Sequence, residues 1–291
     1  MNLRVPSIRH DDCDELAALC KAGGDPLRLN VLRALANDSF GVLELAQIFG
    51  IGQSGMSHHL KVLAQADLVA TRREGNAIFY RRALPHTELL GGKLHAALLE
   101  EVDNLALPDD VQARIAQVHA QRAAASQDFF ARVAEKFRAQ QDLIAGLPQY
   151  RESVLALLDK LNFNGAATAI EVGPGDGAFL PELARRFGTV TALDNSPAML
   201  ELARQVCERE QLANVSLQLA DALNGTSLQA DCVVLNMVLH HFAAPAEALK
   251  HMAGLLQPGG SLLVTELCSH NQSWASVVFC FLCLGFVMED L

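Results

Sequence analysis

Apolar residues recur at helical spacing through the first quarter of the chain. Residues 12–37 show this period with a break before Pro26, which is placed to start a second helix. Two more helices are predicted at 42–49 and 53–66, with glycines in the turn between them. A pair of helices joined by a short glycine-containing turn is typical of a helix-turn-helix.

The next segment has the pattern of a β-hairpin. Residues 68–81 form strand, turn and strand, with Gly75-Asn76 as the turn signal. A hairpin directly after the helix at 53–66 is the wing of a winged helix. The first 85 residues are therefore predicted to be an all-α winged helix-turn-helix domain with a β-hairpin wing, and residues 86–160 to be helical.

From residue 166 the pattern changes to short apolar runs that alternate with helices. Strands are predicted at 167–172, 190–193, 215–219, 232–236 and 261–266. Helices are predicted between them at 178–187, 197–210 and 245–256. Alternation of this kind predicts a Rossmann-like α/β domain with a doubly wound parallel sheet.

The distribution of charge changes the expected partners. The net charge of −10 by itself argues against nucleic acid. However, residues 1–85 hold ten Lys and Arg against nine Asp and Glu, and residues 53–82 hold five basic side chains against two acidic ones. A local basic patch on an acidic protein is enough to contact phosphates.

Cysteine usage and apolar runs favour a cytoplasmic protein that does not contact a membrane. The seven Cys follow no disulfide framework, and no basic segment leads into an apolar run at the N-terminus. The longest apolar run, 274–288, has about 15 residues, fewer than the roughly 20 of a membrane-spanning helix, so we interpret it as a buried helix. Two Cys pairs, at 13/20 and 280/283, each supply only half of a zinc site, so no metal site is expected.

The sharpest motif lies between the first strand of the α/β region and its helix. Its candidate ligand-binding residues are Glu171, Gly173, Gly175, Asp176 and Gly177. Glycines at this spacing let the backbone bend tightly and let a ligand approach closely.

Three further signals follow the next strands. Asp194 closes the second strand, where an acid accepts hydrogen bonds from ribose hydroxyls. Asp221 and Ala222 follow the third strand, where a carboxylate can hold an adenine amino group, and Asn236 ends the fourth. Because parallel sheets bind ligands at the carboxyl ends of their strands, the set predicts a nucleoside site.

Dinucleotide binding is the alternative, but its G-x-G-x-x-G loop differs here because the third glycine comes one position early. Glu171 and Asp176 would also repel a pyrophosphate. The set resembles the class I S-adenosylmethionine (SAM)-dependent methyltransferases over residues 126–291. The resemblance implies that Glu171 and the glycines of the loop hold the methionine end of SAM, Asp194 the ribose and Asp221 the adenine.

The same resemblance implies a lid and a longer sheet. Residues 126–141, with Phe129, Phe130 and Phe137, resemble the family's N-terminal lid, although a packed helix is an equal interpretation. The family has two more strands after the fifth, whereas only 25 residues follow Glu266. We therefore expect a C-terminally truncated domain in which the fifth strand forms an edge.

Catalysis is harder to assign. The sulfonium is already an activated methyl donor, so alignment of the acceptor can supply much of the rate. His240 and His241 stand at the exit of the fourth strand and are candidate general bases. The alternative is that one packs and the other caps a loop.

The helix at 53–66 carries small polar groups near its start. Candidates for reading bases are Gln53, Ser54, Ser57 and His58. Candidates for contacting phosphates are Lys61, Arg72 and Arg73. A winged helix used only for protein contacts is the alternative.

Residues 24–36 and 57–63 resemble the ArsR family of regulators, over about residues 15–85. The resemblance implies a homodimer on pseudo-palindromic operator DNA. The leucines that would form the dimer contact are Leu89, Leu90, Leu94, Leu98 and Leu99. Many ArsR relatives sense metals through Cys in the segment that is 42–47 here, and this segment has none, so a metal effector is not expected.

We expect three segments: a winged helix-turn-helix at 1–85, a helical connector and dimerisation region at 86–125, and the truncated methyltransferase domain at 126–291. The expected function is a DNA-binding transcriptional regulator whose SAM-dependent domain methylates a small molecule. The alternative is a non-catalytic regulator that senses SAM or S-adenosylhomocysteine (SAH). In both cases we expect the ligand of the second domain to set the DNA affinity of the first.

Overall fold

The computed structural model describes residues 10–74, 77–133, 146–223, 227–242 and 244–268. The chain divides into two compact units, Met1–Gln121 and Arg122–Leu291. No helix in these ranges is both long enough and apolar enough to cross a membrane.

The first unit is helical with a small antiparallel sheet. Its elements are α1 (His10–Gly23), α2 (Pro26–Ala34), β1 (Phe40–Gly41), α3 (Val42–Phe49), α4 (Gln53–Gln65), β2 (Val69–Glu74), β3 (Ala77–Arg82) and α5 (Gly92–Asp103). Helix α6 (Asp109–Val133) begins in this unit and ends in the second.

Local signals in the sequence start and stop these helices. Helix α2 begins where the Asp25 side chain accepts a hydrogen bond from the Arg28 backbone N–H at 3.0 Å. Helix α3 ends at Gly50, whose left-handed conformation (φ +65°) turns the chain towards α4. The buried faces of α3 and α4 meet in one core with α2 and Phe40. The predicted winged helix-turn-helix is therefore confirmed.

The wing is a three-stranded sheet rather than a simple hairpin. Strands β2 and β3 pair from Val69 opposite Arg82 to Glu74 opposite Ala77. Strand β1 pairs with β3, with Phe40 opposite Tyr80. Two residues are too few to show an alternating pattern, which is why β1 was not predicted. The turn signal Gly75-Asn76 lies outside the described residues.

The structure corrects two expectations about side chains in the first unit. Arg82, counted in the basic patch, donates to the Leu32 carbonyl at 2.7 Å and pairs with Asp103 at 2.8 Å, so it holds α5 rather than facing a partner. Of the five leucines predicted for a dimer contact, Leu99 is buried in the unit's own core and Leu98 packs against it. The other three, at 89, 90 and 94, are exposed.

The second unit is a parallel sheet with helices on both faces. Its elements are α7 (Leu147–Leu161), β4 (Thr168–Val172), α8 (Leu180–Ala184), β5 (Thr189–Asp194), α9 (Pro197–Arg209), β6 (Val215–Leu219), β7 (Ala230–Asn236), a 3₁₀ turn (Leu239–His241), α10 (Pro245–Gly254) and β8 (Leu256–Thr265). The strand order is β6-β5-β4-β7-β8, and every neighbouring pair is parallel. This confirms the predicted Rossmann-like domain.

The last strand differs from its prediction. It starts at Leu256, opposite Ala230, and the next partners are Ser261 and Cys232. The four residues between form a bulge that the glycines at 259 and 260 make possible. Within the described ranges β8 has one strand neighbour, β7. The predicted absence of two further strands, the apolar run 274–288 and the Cys280/Cys283 pair all fall outside the described residues.

Candidate functional site

The loop after β4 makes a turn that only glycine fits comfortably. Gly173 (φ +65°) donates its N–H to the Leu193 carbonyl at 2.8 Å, which draws the loop against β5. A Cβ there would lie 2.5 Å from Val238 Cγ2, and a Cβ on Gly177 (φ +77°) would lie 2.8 Å from the Ala203 Cα. Gly175 also has a positive φ. The loop backbone is therefore bent sharply over the carboxyl edge of the sheet.

Glu171 is the most unusual group at this edge. It lies on the central strand β4 and is 1% exposed. Its Oε1 accepts a hydrogen bond from Asn236 Nδ2 at 3.1 Å, while its buried Oε2 has no hydrogen-bond partner among the described residues. Burial raises the pKa of Glu171 to about 7, and the Asp176 carboxylate adds to this while the Asn236 hydrogen bond opposes it.

Asn236 connects Glu171 to the next strand. Its Nδ2 donates to Glu171 on β4, and its Oδ1 accepts from Thr265 Oγ1 on β8 at 2.9 Å. This chain of hydrogen bonds crosses three neighbouring strands and orients the Glu171 carboxyl. Thr265 was not among the predicted site residues.

The other predicted acids lie at the same edge. Asp194 ends β5 and accepts a hydrogen bond from the Ser196 N–H at 2.8 Å. Burial raises its pKa to about 6, although its hydrogen bonds from backbone N–H groups act to lower it. Asp221 accepts from the Leu223 N–H at 2.9 Å beside the buried Ala222. Asp176 accepts from the Ala178 N–H at 3.1 Å. Four strand ends thus bring together acidic and amide groups suited to a ligand with cationic and hydroxyl groups.

The two candidate bases differ in their surroundings. His240 is 2% exposed, and its Nδ1 lies 2.7 Å from Glu266 Oε1. The His241 ring lies 4.3 Å from the His240 ring and 5.3 Å edge-on from the Phe130 ring. Sequence reasoning missed Glu266 as a site residue, although it directly follows a parallel strand, β8.

The end of α6 lies beside the loops of the sheet edge. Gln127 Nε2 donates to the Asn195 carbonyl at 2.9 Å, and Phe130 contacts His241. These contacts are where the predicted lid begins, whereas residues 134–141, with Phe137, lie outside the described residues.

Tyr150 on α7 was also missed. Burial raises its pKa to about 12, and the carboxylates of Glu171, Asp176 and Glu266 add to this. Carboxylates at two strand ends therefore act electrostatically on its phenol. A single tyrosine on a helix carries no periodic signal that would have revealed this.

The first unit presents the predicted DNA-facing groups on one side of α4. Met56, Leu60 and Leu63 point into the core. The exposed residues of the helix include all its candidates: Gln53, Ser54, Ser57, His58 and Lys61. Arg72 lies on β2 and is partly exposed, and the side chain of Arg73 lies outside the described residues.

Candidate metal ligands do not gather in the described parts of the chain. No group of three or more His, Cys, Asp or Glu with suitable geometry is present there. Cys13 and Cys20 are exposed free thiols on α1.

Two family models match the chain. A helix-turn-helix domain matches residues 24–72, and a methyltransferase domain matches residues 170–264. The biofilm growth-associated repressor of Xylella fastidiosa is 40% identical over 81 residues, which cover 26% of this chain and 71% of that protein. An uncharacterized methyltransferase of Mycobacterium bovis is 36% identical over 133 residues, which cover 42% of this chain and 65% of that protein.

The chain spans only part of the length of several of the relatives that it matches. A further relative, a 37.1 kDa protein of a Streptomyces fradiae transposon, is 33% identical, and the match spans 43% of this chain but only 37% of that protein. Among solved structures, a SAM-dependent methyltransferase from Aquifex aeolicus has 20% identity and a TM-score of 0.40, and the match covers 48% of this chain and 76% of that one.

The glycine loop generates a stability prediction. Gly177→Ala places a methyl group against the α9 backbone at positive φ, so we expect the free energy of unfolding to fall by about 2 kcal/mol or more. Gly254→Ala, at the end of α10 with no atom within 4 Å of the added Cβ, is the matched control and should change it by less than about 0.5 kcal/mol. Scanning calorimetry of the full chain compares the two variants. Equal transition temperatures would contradict the close approach of Gly177 to the backbone of α9.

The raised pKa of Glu171 predicts a pH dependence of stability. The folded state binds this proton more tightly than the unfolded state, where the pKa is 4.5. The resulting stability is fully present below pH 4.5 and is lost as the pH rises through about 7. It amounts to at most about 3 kcal/mol, and Asp194 acts in the same direction.

Glu171→Gln keeps the shape of the neutral acid and removes the titration. We expect the variant to match the wild type at pH 5 and to be more stable at pH 8 without ligand, by roughly 2 kcal/mol. Glu152→Gln, on the exposed side of α7, is the control. Denaturant unfolding at both pH values measures the stability of each variant. Asp194 keeps part of the pH dependence in Glu171→Gln, so only an undiminished difference between pH 5 and pH 8 would contradict the role of Glu171.

Proposed function

Since the chain belongs to the ArsR-type winged helix-turn-helix regulators that are fused to a class I SAM-dependent methyltransferase domain, we propose that it represses or activates genes and also methylates a small molecule. The proposal assigns DNA recognition to residues 1–85, a helical and dimerising connector to 86–125, and SAM-dependent chemistry to 126–291. We place the protein in the cytoplasm, where operator DNA, SAM and reduced thiols are found together.

The observation that carries the cofactor assignment is the unpartnered Oε2 of Glu171. A buried carboxyl that keeps one oxygen without a donor is costly in the ligand-free protein. The methionine end of SAM brings an ammonium group, which supplies hydrogen-bond donors and a positive charge to that oxygen. Asp176 adds negative charge beside it. The residues present therefore fit SAM better than a pyrophosphate.

The remaining contacts follow from the strand ends. The proposal assigns the ribose hydroxyls to Asp194 and the adenine amino group to Asp221, with Ala222 packing beside the base. Asn236 orients Glu171. The backbone of Gly173, Gly175 and Gly177 leaves room for the methionine chain. SAM supplies an activated methyl group, and the protein's part is to bind, orient and exclude water.

The first test measures binding of SAH and SAM by calorimetry. Asp194→Ala and Asp221→Ala should each weaken SAH by about tenfold or more, because each removes hydrogen bonds to a charged acceptor. Asp159→Ala changes an exposed acid of α7 whose partner is Arg186, and is the control. Wild-type affinity in both site variants would reject the assignment.

DNA recognition is proposed for the exposed side of α4. Its N-terminal residues Gln53, Ser54, Ser57 and His58 would face base edges, while Lys61, Arg72 and Arg73 would contact phosphates. A homodimer would place two such helices in half-sites about one helical turn apart. The exposed leucines at 89, 90 and 94 are available for the contact between subunits.

The phosphate role of Lys61 has a defined salt signature. Lys61→Ala should weaken all DNA sequences alike and reduce the slope of log affinity against log salt by about one. Lys160→Ala removes an exposed positive charge on α7 and should leave the slope unchanged. Fluorescence anisotropy with one labelled duplex at several salt concentrations measures both, and an unchanged slope for Lys61→Ala would exclude this contact.

A SAM or SAH sensor without methyl transfer is the second candidate. It is favoured because the proposed nucleoside-binding groups are all present at the strand ends, whereas His240 is buried against Glu266. Measuring SAH affinity with and without operator DNA, and DNA affinity with and without SAH, separates the two functions. The coupling free energy between the SAH site and the DNA site has the same value in both directions, and such values are typically about 1–3 kcal/mol. Coupling without turnover supports the sensor, and turnover supports the enzyme.

A further inference from the structure

Both carboxylate oxygens of Glu266 contact His240, and Oε1 also accepts the backbone N–H of Leu267 at 2.8 Å. Oε1 lies 2.7 Å from His240 Nδ1, and Oε2 accepts the backbone N–H of His240 at 3.1 Å. The His240 and Glu266 side chains are 2% and 4% exposed, so water does not compete for these bonds. Because a carboxylate only accepts, Nδ1 carries the proton and the orientation of the ring is set.

The imidazole ring of His240, held in this orientation, contacts a second imidazole ring, that of His241. The His241 ring lies 4.3 Å from that of His240 and meets the edge of Phe130 at 5.3 Å. His241 is only partly buried. A carboxylate, a buried imidazole, a partly exposed imidazole and an aromatic ring therefore follow one another at the exit of β7.

This array lies on the acidic side of the sheet edge. The carboxylates of Glu171, Asp176 and Glu266 all act to raise the pKa of Tyr150, so all three contribute negative potential at one phenol. Negative potential, together with the Phe130 ring beside His241, favours a cation over an anion.

We propose that Glu266, His240 and His241 form the acceptor side of the methyltransferase site and that the acceptor is an amine. His241 takes the amine's proton, and His240 and Glu266 are positioning residues that hold His241 in place. The inference rests on the proposed function, because it needs a methyl donor beside the glycine loop.

The proposed methyl transfer begins with the loss of a proton from the acceptor. The ammonium form of the acceptor gives one proton to His241 and becomes a neutral amine. Its nitrogen lone pair forms a bond to the methyl carbon, and the bond between carbon and sulfur breaks with its electrons left on sulfur. The products are a methylated ammonium and neutral SAH, and the imidazolium of His241 releases its proton to water.

The test uses two probes and the full chain, and needs no known acceptor. One probe is SAH, and the other is the SAM analogue in which a CH–NH₂ group replaces the methylsulfonium. The amine of the analogue occupies the place of the methyl group and faces the acceptor side. The ratio of the two dissociation constants reports on that side alone, since both probes share the adenosine and amino-acid contacts.

We expect Glu266→Gln and His241→Gln to lower the preference for the amine analogue by about tenfold, with SAH affinity within about twofold of wild type. His251→Ala, an exposed histidine on α10, should change neither value. An unchanged ratio in His241→Gln, together with normal SAH binding, overturns the inference and leaves the proposed function standing. Failure of the wild type to bind either probe overturns the proposed function itself.

A spectroscopic readout separates positioning from general structural support. Ring-nitrogen correlation spectra of ¹⁵N-histidine-labelled protein should show His240 protonated at Nδ1. The Nε2–H form in wild type would overturn the positioning role. An equal loss of SAH and analogue affinity in Glu266→Gln would also overturn it, because Glu266 would then support the fold alone. Since His241 is partly exposed, its variant tests the inference even where Glu266→Gln does not fold.

Discussion

The buried carboxyl of Glu171 is the constraint on which the rest of the second unit depends. It lies on the central strand, and the structure satisfies only one of its oxygens within the described residues. Burial without a counter-charge opposes ionisation and raises the pKa to about 7. An acid kept at this cost in the middle of a sheet is characteristic of a ligand site, because a bound cation would complete its interactions.

The parallel sheet explains why so many polar groups surround that carboxyl. The order β6-β5-β4-β7-β8 reverses direction at β4, and such a reversal opens a crevice at the carboxyl ends of the strands. Glu171, Asp194, Asn236 and Glu266 come from four different strand ends. The packed strands hold them in fixed positions, so a polar edge forms on top of an otherwise hydrophobic core.

In the first unit, the polar groups of interest lie on the exposed side of one helix. Helix α4 uses Met56, Leu60 and Leu63 for its core and leaves its small polar and basic groups exposed. Asp25 caps α2, and its Oδ1 lies 3.9 Å from His59 Nδ1 on α4. The first unit therefore leaves polar and basic side chains on the surface of a helix, whereas the second gathers acidic groups at the edge of a sheet.

Features that depend on local spacing could be predicted from the amino-acid order alone: the helix-turn-helix, the alternation of strands and helices, the glycine loop, and the acids Asp194 and Asp221 at the ends of their strands. Helical and extended periods are properties of neighbouring residues and can be recognised without a fold. Only the tertiary structure decided the strand pairing of β1, the internal role of Arg82, the link from Glu171 to Asn236 and the pairing of His240 with Glu266. The partners of these contacts lie 26 to 65 residues apart, and sheet register and topology alone bring them within hydrogen-bonding distance.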